Sequence, residues 1–554
     1  MRVSSNRSVV LFAASVVLAV SAASPEKWPY WPEYEKIPLS EIRPQQWRNT
    51  DDVIDGWDWS MPPNVEPAPK SLMGLQRMIG LKKPVQKIET HFPVNAVTLH
   101  WINWRDIEPE EGVYRWDIVK DRIEETHAQG SDSILRILTS SKAMESKGRY
   151  DPEKGAAPRW LEKYEIPSCV AKENANNENY DPGHPEFHKR YIKLINSFAE
   201  SGIPQMLKAA YVGYASPSFG DEGIGPRGVD PDTVPHVIER LDAWGRAFQG
   251  LENRVFMGGP SEYGFEKGFG VRRGFVEMYL YTLPDSTIGQ TIDENGYVVV
   301  DENSPVLRRN PFHGEVNEEY EEAWATEQRG YRFGKTTDSF SYRYFCANLR
   351  LLQMRCSYVH NKDTLIPEML PFVALELGRT VEDAPDIWCF MRESYLRKHG
   401  AVKNWERWLY QRDSEGFETE PVVKIDQPPI KMWMVQPDRY YDYIARKGSQ
   451  IGLAVDDRWC SGGQVDVAIK VTYFDEGAGQ VQMRVGEQEC NLLLTGSGTL
   501  KTATFFIEKA DFSAKGMEYD IVFQGMETDA VISFVRIIRL DSSRSAKIAA
   551  TWEE

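Results

Sequence analysis

Apolar runs alternate with amphipathic stretches from about residue 51 to residue 400. Val94–Ile102 reads as a strand, Asp117–Gln129 as a helix with one apolar face, and Ser133–Leu138 as the next strand. Phe187–Ser201 is a helix, followed by a strand over Met206–Tyr214, a helix over Val234–Phe248 and a strand over Arg254–Gly259. Helix Arg272–Leu280 then leads to a strand near Thr287–Ile292. A shorter strand is expected near Arg309–Glu315, with helix Thr337–Leu352 and strand Gln353–His360 after it. Strands separated by helices of ~10–15 residues imply βαβ units and a parallel sheet. About eight such units fit the α/β class as a (β/α)8 TIM barrel. The alternative is a doubly wound open sheet, but no GxGxxG or P-loop sequence supports the nucleotide chemistry that usually accompanies it.

The texture changes after about residue 420. Val465–Tyr473, Gly479–Val485, Leu500–Ile507, Tyr519–Gln524 and Ala530–Leu540 are short alternating strands divided by Gly, Asp and Ser turns, the pattern of a C-terminal all-β sandwich. The expected division is a signal peptide over 1–24, an extended lead-in over 25–50 and a barrel over 51–418. A proline-bearing linker over 419–430 and a sandwich over 431–545 complete it. At the N-terminus, Arg2 and Arg7 precede an apolar run from Val9 to Ala23, with small residues at Ser21, Ala22, Ala23 and Ser24. That is the layout of a secretory signal, and the run is short for a membrane span. The mature chain is therefore expected to be secreted or periplasmic, without a membrane span.

Charge narrows the partners. The 554 residues hold 65 basic and 82 acidic side chains, a net charge of −17. Nucleic acid and anionic membrane surfaces need a basic face and are poor partners for this chain. The 17 Trp and 25 Tyr suit either a large core or a cleft in which rings stack on the apolar face of a sugar. Six cysteines show no metal-ligand spacing, and neither a metal nor an organic cofactor is implied. Cys460 and Cys490 fall in one C-terminal unit and are the pair positioned to bridge; the other reading keeps all six as thiols. There is no GxSxG elbow for serine chemistry.

In a (β/α)8 barrel the chemistry sits where strands end. Strand two ends in His100, Trp101, Asn103 and Trp104, and strand three carries Arg136. Strand four ends in Tyr211 and Tyr214, followed by Asp221-Glu222. Glu262 follows strand five, and His313-Gly-Glu315 ends strand seven. The segment from Trp104 through Ile107-Glu108-Pro-Glu-Glu-Gly112 to Tyr114, Trp116 and Asp117 resembles the strand-two signature of clan A glycoside hydrolases, including family 42 β-galactosidases and their relatives. Pro158-Arg-Trp160-Leu161 resembles the element that follows strand three in these enzymes. The resemblance spans roughly residues 50–400. It implies a carbohydrate substrate with β-glycosidic, galactoside-type bonds and a retaining mechanism with two carboxyl groups.

That resemblance assigns the acid/base to Glu222 and the nucleophile to Glu315. It also implies an asparagine before the acid/base, where this chain has Asp221. Asp221 competes with Glu222; Glu318, Glu319 and Glu262 compete with Glu315. Retaining enzymes set the two carboxyl groups roughly 5–5.5 Å apart, and a poorly solvated acid beside an anion keeps its proton near neutral pH. Arg136 is placed to keep a nucleophile ionised or to serve a structural ion pair. His100, His184, His313 and Tyr214 are candidate hydroxyl binders. Trp101, Trp104, Trp57 and Trp59 are candidate stacking platforms, and Trp116 is expected in the core. The doublets Arg272-Arg273 and Arg308-Arg309 suit either surface charge or an anionic sugar. A glycan-binding protein built on a barrel without turnover is the reading from another class.

Overall fold

In a computed structural model of the chain, the residues described are 46–50, 72–81, 84, 85, 87, 95–146, 149–171, 174–213, 230–273, 289–304, 307, 314–316, 346, 348–356, 358–361, 373, 376–396, 400–426, 439–460, 463–513 and 518–540. The expected signal segment at 1–24 lies outside them. Eight parallel strands pair in a closed ring. In chain order they are Leu72–Ile79, Asn95–Asn103, Ser131–Leu138, Ala209–Val212, Val255–Met257, Gly270–Arg273, Gly314–Val316 and Tyr358–Asn361. Helices Trp116–Ala128, Pro185–Glu200 and Pro235–Ala247 connect the second, third, fourth and fifth strands.

Strands two to five alternate between two cores. Val97, Leu99, Ile134, Ala209, Tyr211 and Phe256 pack together inside the ring. Ile102, Leu135, Ala210, Val255 and Val271 pack outward on the helices, against residues such as Ile123, Leu194 and Leu241. Burial on both faces is what makes strands of this kind read as continuous apolar runs.

Three expectations are corrected. The sixth ring strand is Gly270–Arg273, where a helix was expected from Arg272; the residues from 274 to 288 lie outside those described. The stretch near Thr287–Ile292 is not in the ring. Gln290–Ile292 pairs antiparallel with Val298–Val300. Between ring strand three and helix Pro185–Glu200, a four-stranded antiparallel sheet spans Ser141–Tyr180; its polar sequence (NANNENY over the last strand) gave no strand signal.

The sandwich begins far earlier than residue 431. Its larger sheet runs in the order Gln46–Thr50, Leu500–Asp511, Gln464–Phe474, Ala530–Arg539, Asp386–Leu396, Arg439–Gly448, Glu420–Asp426, with Gly400–Arg407 beside Asp386–Leu396. The smaller sheet is Leu409–Arg412, Gln450–Val455, Ile521–Gly525, Ala478–Val485, Gln488–Thr495. Asp386–Leu396, Gly400–Arg407 and Leu409–Arg412, expected in the barrel, and Gln46–Thr50, expected in the lead-in, are therefore sandwich strands. The expected linker at 419–430 holds the strand Glu420–Asp426. Its Pro421 is tolerated because this is the edge of the sheet.

The two sheets share one apolar core, with Ile469, Phe505 and Ile537 facing Leu453, Met483 and Phe523. Cys490 belongs to that core as a buried thiol, so the Cys460–Cys490 bridge is not formed; burial pushes its thiol up to about 11. The opposite face of the larger sheet joins the ring's outer core through Trp388, Phe390, Trp405 and Phe534. Buried ion pairs accompany it: Arg392 with Asp442 at 2.8 Å, Arg446 with Glu393 at 2.9 Å and Arg407 with Glu376 at 2.7 Å. No helix among the described residues is long and apolar enough to cross a membrane.

Candidate functional site at the barrel mouth

The two sequence elements that carry the resemblance form one packed unit behind the rim. Ring strand two runs into a single helical turn, Trp104–Ile107. Trp104 is fully buried, its ring edge-on to Trp160 at 6.0 Å and to Phe187 at 5.6 Å. The expectation that Trp104 stacks on a sugar is thereby corrected. Its indole Nε1–H donates to Glu108 Oε2 at 2.7 Å, and the Gly112 N–H donates to Glu108 Oε1 at 2.7 Å. Gly112 has φ of +82°, a turn geometry in which a side chain would be strained. Burial raises the Glu108 carboxyl, while those two donors oppose the shift. Pro158 precedes the short 3₁₀ helix Arg159–Tyr164, from which Trp160 Nε1 donates to the Glu108 carbonyl at 2.9 Å. Glu111 sits beside Lys163, Tyr164 and Arg190, and the Lys163 contact holds its carboxyl at about 2. Trp116 is core as expected, bonded to Ser197 Oγ at 2.7 Å and packed on Phe198.

The mouth lies on the inner faces of strands two, three and four. Trp101, Arg136 and Tyr211 stand in one register line across those strands. They lie two residues beyond the inner core positions Leu99, Ile134 and Ala209, so the strand alternation aims them into the ring near its C-terminal end. The Arg136 guanidinium lies 4.1 Å from the centre of the Trp101 ring and is buried, while Trp101 is half-buried. Asn103, two residues farther on, donates through Nδ2 to Asp106 at 3.1 Å.

His100 takes the other phase. It is buried and in register with Leu135, which packs outward, and its Nε2 lies 3.1 Å from Ser133 Oγ. Burial first, then Arg122 and His127, lowers its imidazole to about 3. A neutral ring beneath the helix layer does not bind sugar at the mouth, so that expectation is corrected. His184 is the residue before helix Pro185–Glu200, and its Nδ1 accepts from the Glu186 N–H at 3.3 Å. It caps that helix through Nδ1. Glu262 opens the short helix Glu262–Glu266 and is exposed, an acidic residue at a favourable helix N-terminus.

Glu315 lies on ring strand seven, in register with Arg273 on strand six and Val359 on strand eight. Tyr214, Asp221, Glu222 and His313 lie outside the described residues, as do Trp57, Trp59, Arg308, Arg309, Glu318 and Glu319. Among the described residues no His, Cys, Asp and Glu cluster forms a metal site. Sequence reasoning placed Tyr211 at a strand end without giving it a role, and it missed Glu108 as the buried carboxylate of the motif. Alternation about Ala209 marks Tyr211 only once the inner phase of strand four is known.

No family model matches the chain, and no curated protein does. Among solved structures, a likeness is found to endo-glycoceramidase II from Rhodococcus sp. as its lactosyl-enzyme intermediate, at 13% identity over 80% of this chain and 99% of that one with a TM-score of 0.30. Another is to the catalytic domain of beta-amylase from Paenibacillus polymyxa, at 10% identity over 54% of this chain and 94% of that one with a TM-score of 0.28. A third is to a beta-glycosidase from Pyrococcus horikoshii, at 13% identity over 39% of this chain and 49% of that one with a TM-score of 0.20. These bear glycosidase names, and at such scores the likeness carries no argument.

Proposed function

We propose that this chain is an exported glycoside hydrolase with a (β/α)8 barrel that cleaves β-linked, galactoside-type sugars with retention. The observation that carries the reading is the buried Arg136 guanidinium stacked on Trp101 inside the C-terminal end of a closed parallel ring. A retaining site needs a carboxylate that stays ionised beneath a developing oxocarbenium ion, and a fixed cation keeps it so. Strands four and seven are separated by strands five and six in the ring. Glu222 is assigned as acid/base. Glu315 is assigned as nucleophile, with Glu318 as the second candidate.

The test is turnover of aryl β-glycosides, β-galactoside first, by wild type and by Glu222→Gln, Glu315→Gln and Glu318→Gln. The expected result is loss of ~10²-fold or more in Glu222→Gln and in one of the other two. Undiminished turnover in Glu222→Gln, or in both strand-seven variants, contradicts the assignment. Asp221, in place of the asparagine that the resemblance implies, favours the second reading of a glycan-binding barrel. Wild type that binds glycan at the mouth without turning it over selects that reading.

A further inference from the structure

The outer face of the smaller sandwich sheet holds a cavity of about 410 Å³ lined by Glu415, Phe417, Gln450, Arg484, Glu518 and Tyr519, a size within the ~300–1,000 Å³ of small-ligand clefts. Its floor follows from strand alternation. Ile451, Leu453, Met483 and Phe523 point into the sandwich core. Gly452, Val522 and Arg484, which alternate with them and share one register line, face outward. The Tyr519 ring lies directly on Gly452, where an added Cβ would meet the ring's Cγ and Cδ2 at 2.4 Å. Glycine is therefore what lets the ring lie on the sheet. Phe417 stands at the rim, on the tight turn whose N–H returns to the Ser414 carbonyl at 2.9 Å, and is 40% exposed. Among the described residues no ion pair or side-chain hydrogen bond engages Glu415, Gln450 or Arg484.

We propose that this cavity binds one sugar residue of a neutral glycan, away from the barrel mouth. An exposed aromatic ring offers a platform for the apolar C–H face of a pyranose. A guanidinium, an amide and carboxylates supply paired donors and acceptors for vicinal hydroxyls. One arginine against two glutamates leaves the lining net negative, and the chain carries −17 overall. Sulfated and uronate polymers are disfavoured on both counts. The proposal is independent of hydrolysis at the barrel, because binding is read without turnover.

The test is affinity electrophoresis of the full chain in gels containing β-1,4-galactan, β-mannan or mixed-linkage β-glucan, with polygalacturonate as the anionic arm. Retardation by at least one neutral polymer is expected. Phe417→Ala and Arg484→Ala, both at exposed positions, should each weaken it at least tenfold while leaving aryl glycoside turnover and the melting temperature as in wild type. Gly452→Ala should weaken it by displacing the Tyr519 ring, whereas Glu222→Gln should bind as wild type. The proposal is overturned by no retardation in any neutral polymer, by equal or stronger retardation in polygalacturonate, or by wild-type binding in both Phe417→Ala and Arg484→Ala.

Discussion

Two residues near the end of ring strand two show how one position along a strand decides between chemistry and packing. Trp101 faces Arg136 in the ring; His100, one residue earlier, faces Ser133 under the helices. Both were legible as residues at a strand end, but the sequence does not say which parity is inner. His100 stays neutral in the fold down to about 3, against 6.5 in the unfolded chain. Between those values the unfolded chain binds the extra proton, so this contribution to stability is intact above about pH 6.5 and declines as pH falls toward 3. Replacing His100 with Gln should flatten the loss between pH 7 and 4.5 by about 2–3 kcal/mol, measured by urea unfolding at both pH values; parallel losses would refute this. Trp104→Phe removes the Nε1 donor from the buried Glu108 carboxylate and should cost ~1–3 kcal/mol with substrate KM unchanged. A raised KM at unchanged stability would return Trp104 to the binding site.

Element by element, legibility followed strand length and burial. The second to fifth ring strands announced themselves because apolar residues face both cores along them. Strand six escaped because Gly270–Arg273 has four residues, two of them arginine. Strand one, Leu72–Ile79, escaped because Gly74, Gln76 and Arg77 interrupt its apolar run. The motif elements were legible as signatures, while their packing was not: Trp160 reaching the Glu108 carbonyl joins positions 52 residues apart. The sandwich boundary was misplaced because prolines suggested a linker where an edge strand tolerates one. A fragment over 431–545 lacks Gln46–Thr50, Asp386–Leu396, Gly400–Arg407, Leu409–Arg412 and Glu420–Asp426. It should fail to fold, since three strands in the middle of the larger sheet would lose partners and apolar cover. Circular dichroism and limited proteolysis of that fragment, beside one beginning near residue 380, check this. A cooperative melt of the shorter fragment alone would contradict the boundary.

For the whole molecule, the larger sandwich sheet is a shared wall. One face closes the sandwich and the other meets the ring's outer core and the buried ion pairs. A barrel braced in this way presents its mouth as a fixed frame, and the central claim is that a carboxylate on the strand-seven side of that mouth attacks the sugar. Reaction with 2-deoxy-2-fluoro-β-galactosyl fluoride, followed by peptide mapping by mass spectrometry, tests it most directly. The account predicts one glycosyl adduct on the peptide that contains Glu315 and Glu318, abolished by substituting the modified residue. An adduct on any other carboxylate, or continued turnover of β-galactosides with inversion and no adduct, would contradict it.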